Sequence, residues 1–210
     1  MSEQNFSSMR AAMVESQLRT SDVDDPRVIA AMASVPRENF LAPDRRAMAY
    51  IDRAVPLGNG RALNPPLATG RLLKEAQIVP GDRVLLIGAA TGYTAALLRA
   101  LGAVVTAVEE EDGPQGDMIG VTAVRGPMSE GAPDGAPYDV LVIDGAVEEV
   151  PEALVAQLVD GGRVVTGLVE NGVVRTCRGR VAGGVLGLIS LTDMEMVVLP
   201  GFARPKQFTF

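Results

Sequence analysis

Apolar and polar positions divide this chain in two. The first eighty residues carry helical spacings broken by irregular stretches, and from Gly81 onward short apolar runs alternate with amphipathic segments. Met9, Met13, Val14, Gln17 and Leu18 fall on one helical face, which predicts an amphipathic helix able to lie over a core. Asp25-Pro26 is a start signal, with Asp25 as N-cap and Pro26 at the first helical position before RVIAAMASV, and Pro36 ends that helix. Asp44 is expected to cap a short helix over RRAMAY. Gly58, Asn59 and Gly60 make a turn, the prolines at 65 and 66 enforce extended backbone, and a helix is predicted over Leu67 to Ala76.

The second part reads as a parallel sheet. Strands are predicted at Val84–Ile87, Val104–Val108, Val121–Val124, Tyr138–Ile143 and Arg163–Leu168, with helices from Tyr93 to Leu101 and after Pro151. Val173–Val181 and Val185–Val198 lack helix signals and read as antiparallel strands around Gly183-Gly184. Between Glu109 and Val121 stand eleven residues, EEDGPQGDMIG, too rich in Gly and Pro for a crossover helix, so a loop is predicted. The fold expected is α/β: a Rossmann-like, doubly wound, mostly parallel sheet with antiparallel C-terminal edge strands and an N-terminal helical extension. One domain over residues 1–210 is expected, with 1–79 as the extension and 80–210 as the core.

The stretch DRVLLIGAATGYTAALL carries the strongest chemical signal. A strand ending at Ile87, a turn through Gly88, Ala89, Ala90, Thr91 and Gly92, and a helix from Tyr93 would aim free backbone N–H groups into the crevice above the sheet. Composition narrows the chemistry. A net charge of −7 with no basic run argues against nucleic acid as a partner. No apolar run approaches a membrane span, and MSEQNFSSMR resembles no export signal, so a cytoplasmic protein is expected. The single Cys177 reads as a core residue on a strand, and the absence of histidine excludes a Ser-His-Asp triad and His-ligated metal. No metal site is expected.

Five ordered blocks, MVESQLR, DPRVIAAMASVPRENF, AYIDRAVPLGNGRAL, PGDRVLLIGAATGYTAALL and APYDVLVIDGAVEEVPEAL, together with GGRVV, resemble the protein-L-isoaspartate O-methyltransferases. That family repairs damaged aspartyl residues in proteins with S-adenosylmethionine. The resemblance covers most of residues 9 to 168 and implies isoaspartyl peptides or proteins as partners. It implies a cofactor site at Gly88, Ala89, Ala90, Thr91, Gly92, Tyr93, Glu109 and Gly126, with Glu109 holding the ribose hydroxyls. Asn64 stands where the family has a Ser or Thr beside the substrate carboxylate, and its amide could donate to that carboxylate; an Asx-turn is the structural alternative. The missing histidine suits this chemistry, because a carboxylate acceptor is already an anion near pH 7.

The chain also departs from the family pattern. Leu86 replaces an acid before the turn, Ala90 a middle glycine, Pro127 an acid after Gly126, and Asp144-Gly145-Ala146 a "T-A-A" stretch. With Asn64 and the short crossover, these departures raise a second expectation. The chain could keep the fold as a binding or regulatory module with weak or no cofactor binding.

Overall fold

The computed structural model describes residues 5–204, apart from Gln115 and Asp117. Helix α1 (Phe6–Met13) runs into a π-helical turn at Val14–Leu18, which rotates the apolar stripe so that Met13, Val14 and Leu18 all reach the core. Helix α2 (Pro26–Ser34) starts as its sequence dictates: the Asp25 carboxylate accepts from the Arg27 N–H at 2.8 Å and Pro26 takes the first position. The segment around Asp44 differs from expectation. It forms a 3₁₀ turn over Pro43–Met48 in which Asp44 lies inside, and Ala42 precedes it without a side-chain cap.

Two short strands, β1 (Val55–Gly58) and β2 (Arg61–Leu63), form an antiparallel hairpin separate from the main sheet, turning at the glycines that flank Asn59. Helix α3 (Pro66–Ala76) follows directly. The main sheet begins with β3 (Arg83–Ile87), and α4 (Tyr93–Ala100) leads to β4 (Val104–Glu109). The chain then passes through residues 110–121 to β5 (Thr122–Arg125), and the described residues there form no helix or strand, as the Gly and Pro content predicts. Strand β6 (Tyr138–Val147), a one-turn α5 (Glu152–Val155), β7 (Leu158–Glu170), β8 (Val173–Ala182) and β9 (Val185–Asp193) complete it.

The order is β5-β4-β3-β6-β7-β8-β9, parallel as far as β7 and antiparallel beyond. Period-two alternation assigns Val84, Leu86, Val105, Ala107, Val140 and Val142 to the face under α2, α3 and α4. Leu85, Ile87, Val108, Leu141 and Ile143 face the other side, where Met128, Leu154, Leu199 and Phe202 cover them. Cys177 is buried on β8 within this second core. β9 stops at Asp193, short of the predicted Val198. Residues 194–199 instead turn back across the end of β6, where the Ala146 N–H donates to the Val197 carbonyl at 2.7 Å and the Leu199 N–H to the Ala146 carbonyl at 2.9 Å. Strand order reverses between β3 and β6, and the crevice at their C-terminal ends is where such folds bind ligands. No helix among the described residues is long and apolar enough to cross a membrane.

Candidate active site

The turn from Gly88 to Gly92 stands at that crevice, but four of its five backbone donors are occupied. The N–H groups of Gly88 and Ala89 donate to the Val108 carbonyl, that of Gly92 to the Ala89 carbonyl, and that of Ala90 to the Glu109 carboxylate at 2.6 Å. The expectation that the turn presents free N–H groups is therefore corrected at four positions: the end of β4 takes those of Gly88, Ala89 and Ala90, and the turn itself that of Gly92. Ala90 sits at φ 50°, in the left-handed region that a glycine would occupy without strain. Leu86, in place of the expected acid, is fully buried between α3 and α4.

Glu109 ends β4 with 1% of its surface exposed. Arg61, from β2, grips it with one edge of the guanidinium, Nε to Oε1 at 3.0 Å and Nη2 to Oε2 at 2.9 Å. The Glu110 N–H adds a fourth donor at 3.2 Å. An ionised carboxylate offers about four lone-pair positions, so this one is saturated from within the chain. Arg61 is the residue of this arrangement that sequence reasoning missed. Its signal was available: an arginine beside a tight hairpin turn, inside a block that matched the family, needs a carboxylate partner if the block is buried.

Asn64 is 2% exposed and both of its amide hydrogens are committed, one to the Asp144 carbonyl and one to Asp144 Oδ1, each at 2.8 Å. Its own oxygen accepts from the Val197 N–H at 2.8 Å. It thus joins the β2–α3 connection, the end of β6 and the returning 194–199 segment, and it is neither an Asx-turn nor a free donor in this conformation. Thr94 donates to the other Asp144 oxygen at 2.5 Å. Burial raises the Asp144 carboxyl above the ordinary aspartate range, while the Thr94 and Asn64 donors pull the other way.

Tyr93 is fully buried, edge-on to Phe40 at 5.5 Å and beneath the Arg37 guanidinium at 4.8 Å. Burial pushes its hydroxyl up to about 12. Arg37 donates to the carbonyls of Ala49 and Asn64 and so pins the entry to the 64–66 turn. Gly126 lies at the far end of β5, and its N–H donates to the Glu109 carbonyl at 3.1 Å. A cavity of about 800 Å³ opens beside the turn, lined by Phe40, Leu57, Arg45, Pro114 and Ile119. Among the expected site residues, only Thr91 reaches it. No cluster of His, Cys, Asp or Glu suited to a metal occurs among the described residues.

In this conformation the groups that the sequence resemblance assigns to S-adenosylmethionine are engaged within the chain. The cofactor's ribose would need the Glu109 oxygens that Arg61, Ala90 and Glu110 already hold. A side chain built on Gly88 would meet Leu199 at 2.9 Å and Arg61 Nη2 at 3.4 Å, so these two groups lie against the turn. Gly116 packs against the Thr91 carbonyl with no room for a side chain, so it too lies hard against the turn.

Comparison with known proteins agrees with the fold and with the ordered sequence blocks. The family model described as protein-L-isoaspartate(D-aspartate) O-methyltransferase matches residues 8–177. A protein-L-isoaspartate O-methyltransferase from Koribacter versatilis is 40% identical over 169 residues, 76% of each chain. One from Roseiflexus castenholzii is 32% identical over 206 residues, 94% of each. A solved protein-L-isoaspartate O-methyltransferase aligns with TM-score 0.76 at 23% identity, over 91% of this chain and 66% of its own. A Plasmodium falciparum structure described as a β-aspartate methyltransferase in complex with S-adenosyl-L-homocysteine aligns with TM-score 0.71 at 18% identity, over 94% and 99%. The two structures share the fold, and the matched span with its two relatives establishes descent: this chain belongs to the protein-L-isoaspartate O-methyltransferase family.

Proposed function

We propose that this chain is an S-adenosylmethionine-dependent O-methyltransferase acting on the carboxylate of isoaspartyl residues in damaged proteins, and that it works in the cytoplasm. Family membership over residues 8–177 carries the reading. Chemistry supports it. An isoaspartyl carboxylate is already ionised near neutral pH, so a chain with no histidine needs no general base. What remains is orientation and exclusion of water. The cofactor would belong at the Gly88–Gly92 turn and Tyr93, with Glu109 as ribose acceptor and Gly126 at the adenine end, and Asn64 would position the acceptor. A single buried, unpaired cysteine suits a reducing compartment.

The saturated Glu109 carboxylate favours a second reading, a family relative that retains the fold as a binding or regulatory module. Transfer of labelled methyl from S-adenosylmethionine to an isoaspartyl peptide, against the same peptide with ordinary aspartate, separates them. Label in the isoaspartyl peptide alone is expected. A folded protein that labels neither would overturn the enzyme reading.

A further inference from the structure

We infer that Arg61 governs entry to the cofactor crevice, acting as an internal competitor that must release Glu109 before the ribose can be held; the inference rests on the proposed function. Three observations converge on it. The Arg61–Glu109 pair is two-pronged, with side chains 3% and 1% exposed. Fork-to-fork pairing is the strongest common geometry between these groups, and shielding from water strengthens it further. Yet the pair is imperfect. The third guanidinium nitrogen, Nη1, is buried without a hydrogen-bond partner, so Arg61 is not held at every donor.

The second observation is the placement of the side chain. Arg61 Nη2 lies 3.4 Å from the position of a Cβ on Gly88, between the strand-end acid and the first glycine of the turn. A ligand seated on that glycine and on Glu109 would need the same space. The third is the element that carries it. Arg61 belongs to the two-stranded hairpin, which pairs with no strand of the main sheet. The tip of that hairpin is tied to the loop beyond Glu109 by Asn59, whose amide donates to the exposed Asp112 carbonyl at 2.9 Å. Val55 and Leu63 anchor the hairpin in the core, so release of Glu109 is a movement of the Arg61 side chain and not of the hairpin.

Calorimetric titration with S-adenosyl-L-homocysteine tests this on the full chain. Arg61→Gln keeps a donor near Glu109 but removes the charge and the fork, and it is expected to bind at least tenfold more tightly than wild type. Arg61→Lys keeps the charge without the fork, so it should fall between them and covers the case in which the glutamine variant does not fold. Thermal unfolding of each variant confirms the fold. Wild type and folded variants with affinities within threefold of one another would overturn the role of Arg61 while leaving the cofactor reading intact. No binding by wild type or by either folded variant, up to millimolar ligand, would overturn both.

Discussion

Asn64 holds three segments together, and replacing it by alanine separates a structural role from a chemical one. The substitution removes two donations to Asp144 and one acceptance from Val197. Buried hydrogen bonds contribute about 1 kcal/mol each net, so the loss is about 3 kcal/mol. In a domain of this size that lowers the melting temperature by roughly 6–12 °C. Urea unfolding followed by circular dichroism should show the midpoint falling with the slope unchanged. Asn64→Asp sharpens the test, because it brings a second carboxylate against Asp144, whose Oδ1 lies 2.8 Å from the present amide nitrogen. Two such groups share one proton, which raises the folded-state titration above that of the unfolded chain. Stability should therefore be greatest in acid and fall as pH rises from about 4 to 7. An alanine variant within 1 kcal/mol of wild type, but with methyl transfer abolished, would refute the staple and return Asn64 to the reaction.

Two further outcomes are expected. Burial raises the Asp144 carboxyl, so its stabilising contribution is full below the unfolded aspartate range and is lost as pH rises through its higher folded value; wild type should lose stability relative to Asp144→Asn across that window, and a constant difference in urea unfolding from pH 4 to 8 would refute it. Leu86→Asp restores the family's acid but buries a carboxylate between its sheet partners Ala107 and Val142, and it should cost more than about 4 kcal/mol; melting within a few degrees of wild type would show that the acid reaches the crevice.

The fold was largely legible because its signals are local. Asp25-Pro26 opened α2, Gly and Pro kept the described residues of 110–120 free of regular structure, and apolar runs placed the parallel strands. The site was less legible because its decisive contacts are distant in sequence. Arg61 meets Glu109 across 48 positions, and Asn64 meets Val197 across 133. Periodicity has no reach over such spans. It also cannot show that the N–H groups of a glycine-type turn are spent on the neighbouring strand, as those of Gly88, Ala89 and Ala90 are. The misplaced cap at Asp44 has a different cause: Pro43 already supplies the first position of that turn, and Asp44 is carried inside it.

The change from parallel to antiparallel pairing at β7 divides the sheet by how its parts can assemble. The β7–β8 and β8–β9 ladders close next to their turns, Glu170 on Val173 and Ala182 on Val185. Pairing β3 with β6 must instead bring Val84 to Val140 through the intervening α4, β4 and β5. Chain-closure entropy makes that step dearer by roughly 2 kcal/mol or more than a hairpin, and non-local pairings form slowly. The antiparallel meander can therefore order early as a local template. The β3–β6 junction, which carries the crevice, is completed only once the most distant parts of the chain have met.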